Sequence, residues 1–133
     1  MKLIAYTDGA SRGNPGPAAY GFTVEKEGVL LEESCGYIGK ETINIAEYRA
    51  FIAALTRMKD LGATEVIVYS DSELAVRQIN GQYKVKSPGL VALFGRVKAL
   101  LRIFDSWEVI HVPRGKNSAA DGLANQALDE HLK

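Results

Sequence analysis

The spacing of apolar and polar residues changes several times along this chain, and each change marks an element. Leu3-Ile4-Ala5-Tyr6 is a short continuous apolar run that reads as a buried strand over 2–8. Strands are expected again over 18–25 and 28–38, with Glu25-Lys26-Glu27-Gly28 turning the chain between them. From 44 to 61 the period becomes helical: Ile45, Tyr48, Ile52, Leu55 and Met58 share one face, and Gly62 ends the run. TEVIVYSD, 64–71, returns to strand, and a short helix follows over 72–80. The polar, basic loop GQYKVKSPG, 81–89, leads to a helix at about 89–103 and a strand WEVIHV at 107–112. The remainder runs from a loop into a terminal helix with Leu123, Ala124, Ala127 and Leu128 along one side.

The predicted order, βββαβααβα, describes an α/β fold. Three strands joined by short turns form an antiparallel meander, and two strands separated by helices join it in parallel, with helices on both faces of the mixed sheet. Ligands on such sheets sit beyond the carboxyl ends of the parallel strands. The 133 residues, 47% hydrophobic, are enough for one globular domain over 1–133.

Composition narrows the function. Sixteen basic residues balance 16 acidic ones, so a nucleic-acid partner must be held by local basic groups. The single cysteine, Cys35, excludes an internal disulfide and a thiolate zinc site, and reads as a half-buried strand residue. No apolar run reaches the ~18–20 residues of a membrane span and no signal pattern opens the chain, so a soluble, cytoplasmic protein without membrane contact is expected.

Four carboxylates carry the candidate chemistry. Asp8 ends the first strand, Asp71 ends the fourth, Glu47 lies in the first turn of the first long helix and Asp121 near the start of the last. Strand ends and helix starts share one edge of a parallel arrangement, so the four converge there. Three have ordinary structural readings. Asn44-x-x-Glu47 and Ser118-x-x-Asp121 resemble capping boxes, and Asp71 suits the N-terminus of the helix that opens with Ser72. Capping and metal binding are compatible. Asp8 has no helix to cap, and a strand carboxylate costs several kcal/mol of desolvation unless paired or metal-bound. Hard oxygen donors without Cys or paired His favour Mg²⁺ or Mn²⁺. The glycine-rich loop at 9–17 is no P-loop, because no G-K-[ST] follows and it enters a strand.

YTDGASRGNPGPAAYG, TINIAEYRAFIAAL, VIVYSDSELAVRQING and VPRGKNSAADGLANQA together resemble, in order and over nearly the whole chain, the type 1 ribonuclease H family. That resemblance implies a ribonuclease H-like fold with a five-stranded mixed sheet. It also implies an endoribonuclease that cuts the RNA strand of RNA–DNA hybrids with two Mg²⁺ ions, Mn²⁺ substituting, and leaves 5′-phosphate and 3′-hydroxyl ends. Asp8, Glu47, Asp71 and Asp121 match the family's metal-binding carboxylates. Asn14 and Asn44 match residues that contact the hybrid near its minor groove, and Thr42 matches one that holds a DNA phosphate.

Departures from the family pattern are equally visible. Only Lys84 and Lys86 stand where many relatives carry a basic helix and loop, and a compact form without a separate hybrid-binding domain, acting as a monomer, is expected. The loop before Asp121 holds Arg114 and Lys116 where relatives place a histidine; Arg114 is the candidate replacement, with His111 as the other. Glu73 stands in place of a glutamine and suits a capping box with Ser70. The reduced basic surface leaves a second reading open, a nucleic-acid-binding protein that keeps the fold with little or no turnover.

Overall fold

The computed structural model describes all 133 residues. The elements are β1 (Lys2–Ser11), β2 (Gly16–Lys26), β3 (Val29–Glu41), α1 (Ile43–Asp60), β4 (Glu65–Ser70), α2 (Glu73–Ile79), α3 (Pro88–Leu101), β5 (Ser106–His111), a 3-10 turn at Arg114–Lys116 and α4 (Ser118–His131). The sheet order is β3-β2-β1-β4-β5. β1/β2 and β2/β3 pair antiparallel, while β1/β4 and β4/β5 pair parallel. This is the mixed sheet expected from the element order.

The main core lies on one face. Leu3, Ala5, Phe22 and Val24 from the sheet meet Tyr48, Phe51, Leu55 and Met58 of α1 and Leu90, Val97 and Leu101 of α3. Each large side chain buried here contributes about 1.5–3 kcal/mol. On the other face, Ala19 packs against Ala127 and Leu128 of α4. No helix is long and apolar enough to cross a membrane.

Several boundaries move. β1 continues three residues past Asp8 and β2 begins at Gly16, so the expected loop at 9–17 shrinks to four residues. Gly9, Ala10 and Ser11 pair with Tyr20, Ala19 and Ala18; small residues keep the ladder without giving an apolar signal. β3 extends to Glu41, because Lys40 and Glu41 pair with Pro17 and Gly16. α1 is not a single-stripe helix: Ala46, Glu47, Ala50, Phe51 and Ala54 are buried too, while Ile45 is only half-buried. Contacts with the sheet and with α3 cover two sides of the helix at once.

Candidate metal centre

The β1/β4 ladder ends at Thr7–Ser70, while the β1/β2 ladder continues through Asp8–Gly21. Asp8 therefore stands where two strands part, and Asp71 is the first residue beyond β4. Two glycines let helices close on this point from opposite faces. A Cβ at Gly21 would lie 2.5 Å from the Ala120 carbonyl oxygen and 2.6 Å from the Ala124 nitrogen. Residues paired across an antiparallel ladder share a face, so α4 sits down beside Asp8 and carries Asp121 to it. A Cβ at Gly9 would lie 2.3 Å from the Glu47 nitrogen and 2.4 Å from the Ala46 carbonyl carbon. That bare contact presses α1 onto β1 at Glu47.

One carboxylate oxygen from each of Asp8, Glu47 and Asp71 lies within 4.8 Å of the others. Asp8 and Glu47 are buried and Asp71 is half-buried. Asp121 lines the same pocket of about 200 Å³, with Ser11, Ile43 and Arg114, but stands outside the tight trio. Its Oδ1 accepts a bond from Asn125 Nδ2 at 3.3 Å, one turn along α4.

Burial pushes the Asp8 carboxyl up to about 10, and the charges of Glu47 and Asp71 and the approach of Asp121 add to the rise. Burial and the Asp71 charge also raise Glu47, against the pull of Asp8, the Gly9 backbone and Arg114. Glu47 Oε2 is buried with no hydrogen-bond partner. Buried carboxylates that repel one another and leave an acceptor unpaired fit a hard divalent cation, which relieves both costs.

The structure removes the capping explanations. α1 is capped by Thr42, whose side chain accepts the Ile45 N–H at 3.3 Å, so Asn44 is already inside the helix and Glu47 lies beyond its first turn. α2 is capped by Ser72, whose Oγ accepts the Ala75 N–H, and not by Asp71. Ser70 Oγ accepts the Ser72 N–H and Glu73 pairs with Arg77, so these two form no capping box. Ser118 is inside α4, whose N-cap is Asn117, so no box joins Ser118 to Asp121. At α1 and α2 the side chains of Thr42 and Ser72 take the helix ends and leave Glu47 and Asp71 free for the pocket.

Asn14, Thr42 and Asn44 come together: Asn14 Oδ1 accepts the N–H of Ile43, the residue between the other two, at 3.1 Å. Arg114 faces the acidic pocket, whereas His111 ends β5, exposed, and does not line it. Lys84 and Lys86 are exposed on the loop between α2 and α3; Lys84 lines a separate groove with Tyr83 and Phe94. Sequence reasoning missed Asn125, Asn117 and the buried bond from Tyr48 Oη to Gln78 Oε1, 2.7 Å, that ties α1 to α2. For Asn125, the signal was its spacing of four from Asp121 on one helix.

A family model described as reverse transcriptase-like matches residues 6–127. Ribonuclease HI of Halobacterium salinarum is 46% identical over 130 residues, covering 97% of this chain and 65% of its own length. The bifunctional protein Rv2228c of Mycobacterium tuberculosis is 47% identical over 131 residues, covering 97% of this chain but 36% of its own length. The chain thus spans about one third to two thirds of these curated relatives. A ribonuclease H of Chlorobium phaeobacteroides is 32% identical, with 96% of this chain and 95% of that protein covered. Among solved structures, RNase H1 of Halobacterium salinarum superposes with a TM-score of 0.95 at 44% identity, covering 98% of this chain and 99% of that one. LC11-RNase H1, solved in complex with an RNA/DNA hybrid, gives 0.94 at 44% identity over the same shares.

Proposed function

Because this chain belongs to the type 1 ribonuclease H family, we propose that it hydrolyses the RNA strand of RNA–DNA hybrids, leaving 5′-phosphate and 3′-hydroxyl ends. The observation that carries the proposal is the trio Asp8, Glu47 and Asp71, three carboxylates within 4.8 Å at the split between β1 and β4. These three and Asp121 would hold two Mg²⁺ ions, with Mn²⁺ as a substitute. Such ions supply an activated water and charge stabilisation for the departing 3′ oxygen.

The chain's own groups do the rest. Glu47 and Asp121, carried on helices seated by the Gly9 and Gly21 contacts, are positioned beside Asp8 before any ligand arrives. Arg114 is protonated at any ordinary pH and lines the pocket, so it draws the cleaved phosphate outward by charge-assisted hydrogen bonds and takes no proton itself. Asn14 and Asn44 present amides beside Thr42, suited to 2′-hydroxyls and base edges in the wide minor groove of a hybrid and to a neighbouring phosphate. Lys84 and Lys86 add the basic contact beyond them. We place this activity in one domain over residues 1–133, acting as a cytoplasmic monomer.

The test is incubation of the purified protein with end-labelled RNA–DNA hybrid, with Mg²⁺, with Mn²⁺ and with chelator. Metal-dependent cutting of the RNA strand alone, with 5′-phosphate products, is expected. Binding without cutting under every metal condition would overturn it in favour of a nucleic-acid-binding role.

A further inference from the structure

Asn117 occupies the N-cap of α4, where an asparagine ordinarily accepts a hydrogen bond from its own helix, yet it makes no such bond. Its side chain turns instead to the sheet. Nδ2 donates to the Thr7 carbonyl oxygen at 2.9 Å, and the residue is 1% exposed. Thr7 is the last β1 residue paired with β4 and directly precedes Asp8. The Asn117 N–H donates to the Arg114 carbonyl at 3.0 Å, and its carbonyl accepts the Asp121 N–H at 3.1 Å. One residue thus ties together the strand beside Asp8, the 3-10 turn that carries Arg114 and the helical turn that carries Asp121.

The second observation is the other half of the amide. Asn117 Oδ1 is buried and has no hydrogen-bond partner. A buried orphan acceptor carries a desolvation cost that no bond offsets. Serine is equally favoured at an N-cap and would leave no amide oxygen orphaned, so helix capping does not account for an asparagine. We propose that Asn117 is a positioning residue: its bond to Thr7 sets the distance of Arg114 and Asp121 from Asp8, and so the geometry of the cleavage step. This rests on the reading that the acidic pocket cleaves hybrids.

Displacing a reacting group by about 1 Å costs up to ~100-fold in rate, so losing the tether is expected to lower kcat about 10-fold or more. The hybrid-contacting residues Asn14, Thr42 and Asn44 lie on other elements, so KM should stay within about two-fold of wild type. Two variants separate positioning from folding. Asn117→Ala removes both the tether and any capping group. Asn117→Ser removes the tether but supplies a good N-cap. If the residue only stabilises α4, the serine variant restores wild-type kcat. If it positions, both variants lose kcat alike, whatever the difference between their melting temperatures.

Amide hydrogen exchange in the Arg114–Asp121 segment supplies a readout that needs no cleavage. Faster exchange there in both variants, with unchanged exchange in α1, is expected. Wild-type kcat in Asn117→Ser, or exchange unchanged in both variants, would overturn the proposal. A wild-type protein that cuts no hybrid would overturn the functional reading instead, and the exchange result would still judge the tether.

Discussion

Replacing Asp8 by asparagine should make the metal-free protein more stable while ending the hybrid cleavage proposed for it. The Asp8 carboxyl is raised from its ordinary 3.8 to about 10, first by burial and then by the charges of Glu47 and Asp71. A group raised on folding contributes its full stability at acid pH, where folded and unfolded chains both hold the proton. That contribution is lost as pH climbs from about 4 toward about 10. At pH 7 the protonation that folding requires costs about 4 kcal/mol at most, taking 1.36 kcal/mol per pH unit. Asparagine removes that cost but is itself a buried polar side chain whose desolvation offsets part of the gain, so roughly 2 kcal/mol is expected.

Asparagine keeps the volume and removes the charge, so Asp8→Asn in chelator at pH 7–8 should melt about 6–8 °C higher than wild type. Its melting temperature should also fall less steeply as pH rises. Added Mg²⁺ should narrow or reverse the gap, because only the wild type gains stability by binding the ion at a complete site. The measurements are thermal melts across pH 5–9 with chelator and with Mg²⁺, alongside hybrid cleavage. A variant no more stable than wild type at pH 8 in chelator would refute the electrostatic reasoning. Cleavage above a few per cent of wild type would refute a metal role for Asp8.

Gly21→Ala places a Cβ 2.5 Å from the Ala120 carbonyl oxygen and 2.6 Å from the Ala124 nitrogen, backbone atoms that yield only if α4 lifts. A loss of about 3 kcal/mol or more is expected in denaturant unfolding, and an unchanged midpoint would contradict the close-contact account. Arg114→Ala should lower turnover about 10-fold by slowing departure of the cleaved phosphate, an effect in the range of a lost charge-assisted contact. His111→Ala should do less, since His111 does not line the pocket. Single-turnover and steady-state rates compare the two, and a more damaging histidine change would reverse the assignment. Hybrid binding should weaken steeply with salt. Each phosphate met by Lys84, Lys86, Arg114 or Lys116 adds about −0.9 to the log–log slope on the B-DNA scale, and a flat salt titration would show that these groups carry little of the affinity.

Much of this architecture is written in local pattern. The five strands, the order of elements and the positions of Asp8, Glu47, Asp71 and Asp121 were legible because each depends on residues close together along the chain. Local reasoning failed at the helix ends. Asn44, Ser118 and Asp71 all had the chemistry of a cap, yet Thr42 and Ser72 cap α1 and α2, and Asn117 stands at the cap of α4 while bonding elsewhere. Capping preference is worth about 1 kcal/mol, and packing a whole helix against a sheet outweighs it in choosing where the first turn begins.

The sequence by itself determined which chemistry this protein can hold: four carboxylates at element boundaries, no thiolate or histidine pair, and amides near the first of them. Only the tertiary structure decided how they meet. It drew Asp8, Glu47 and Asp71 into one tight group and left Asp121 at its margin. The physical reason lies in atoms the chain omits. Gly9 and Gly21 have no Cβ, so α1 and α4 touch the sheet backbone directly on opposite faces. Which helix backbone fills each of those spaces is settled by contacts between residues 37 or more and 99 or more positions apart, and no local pattern carries that information.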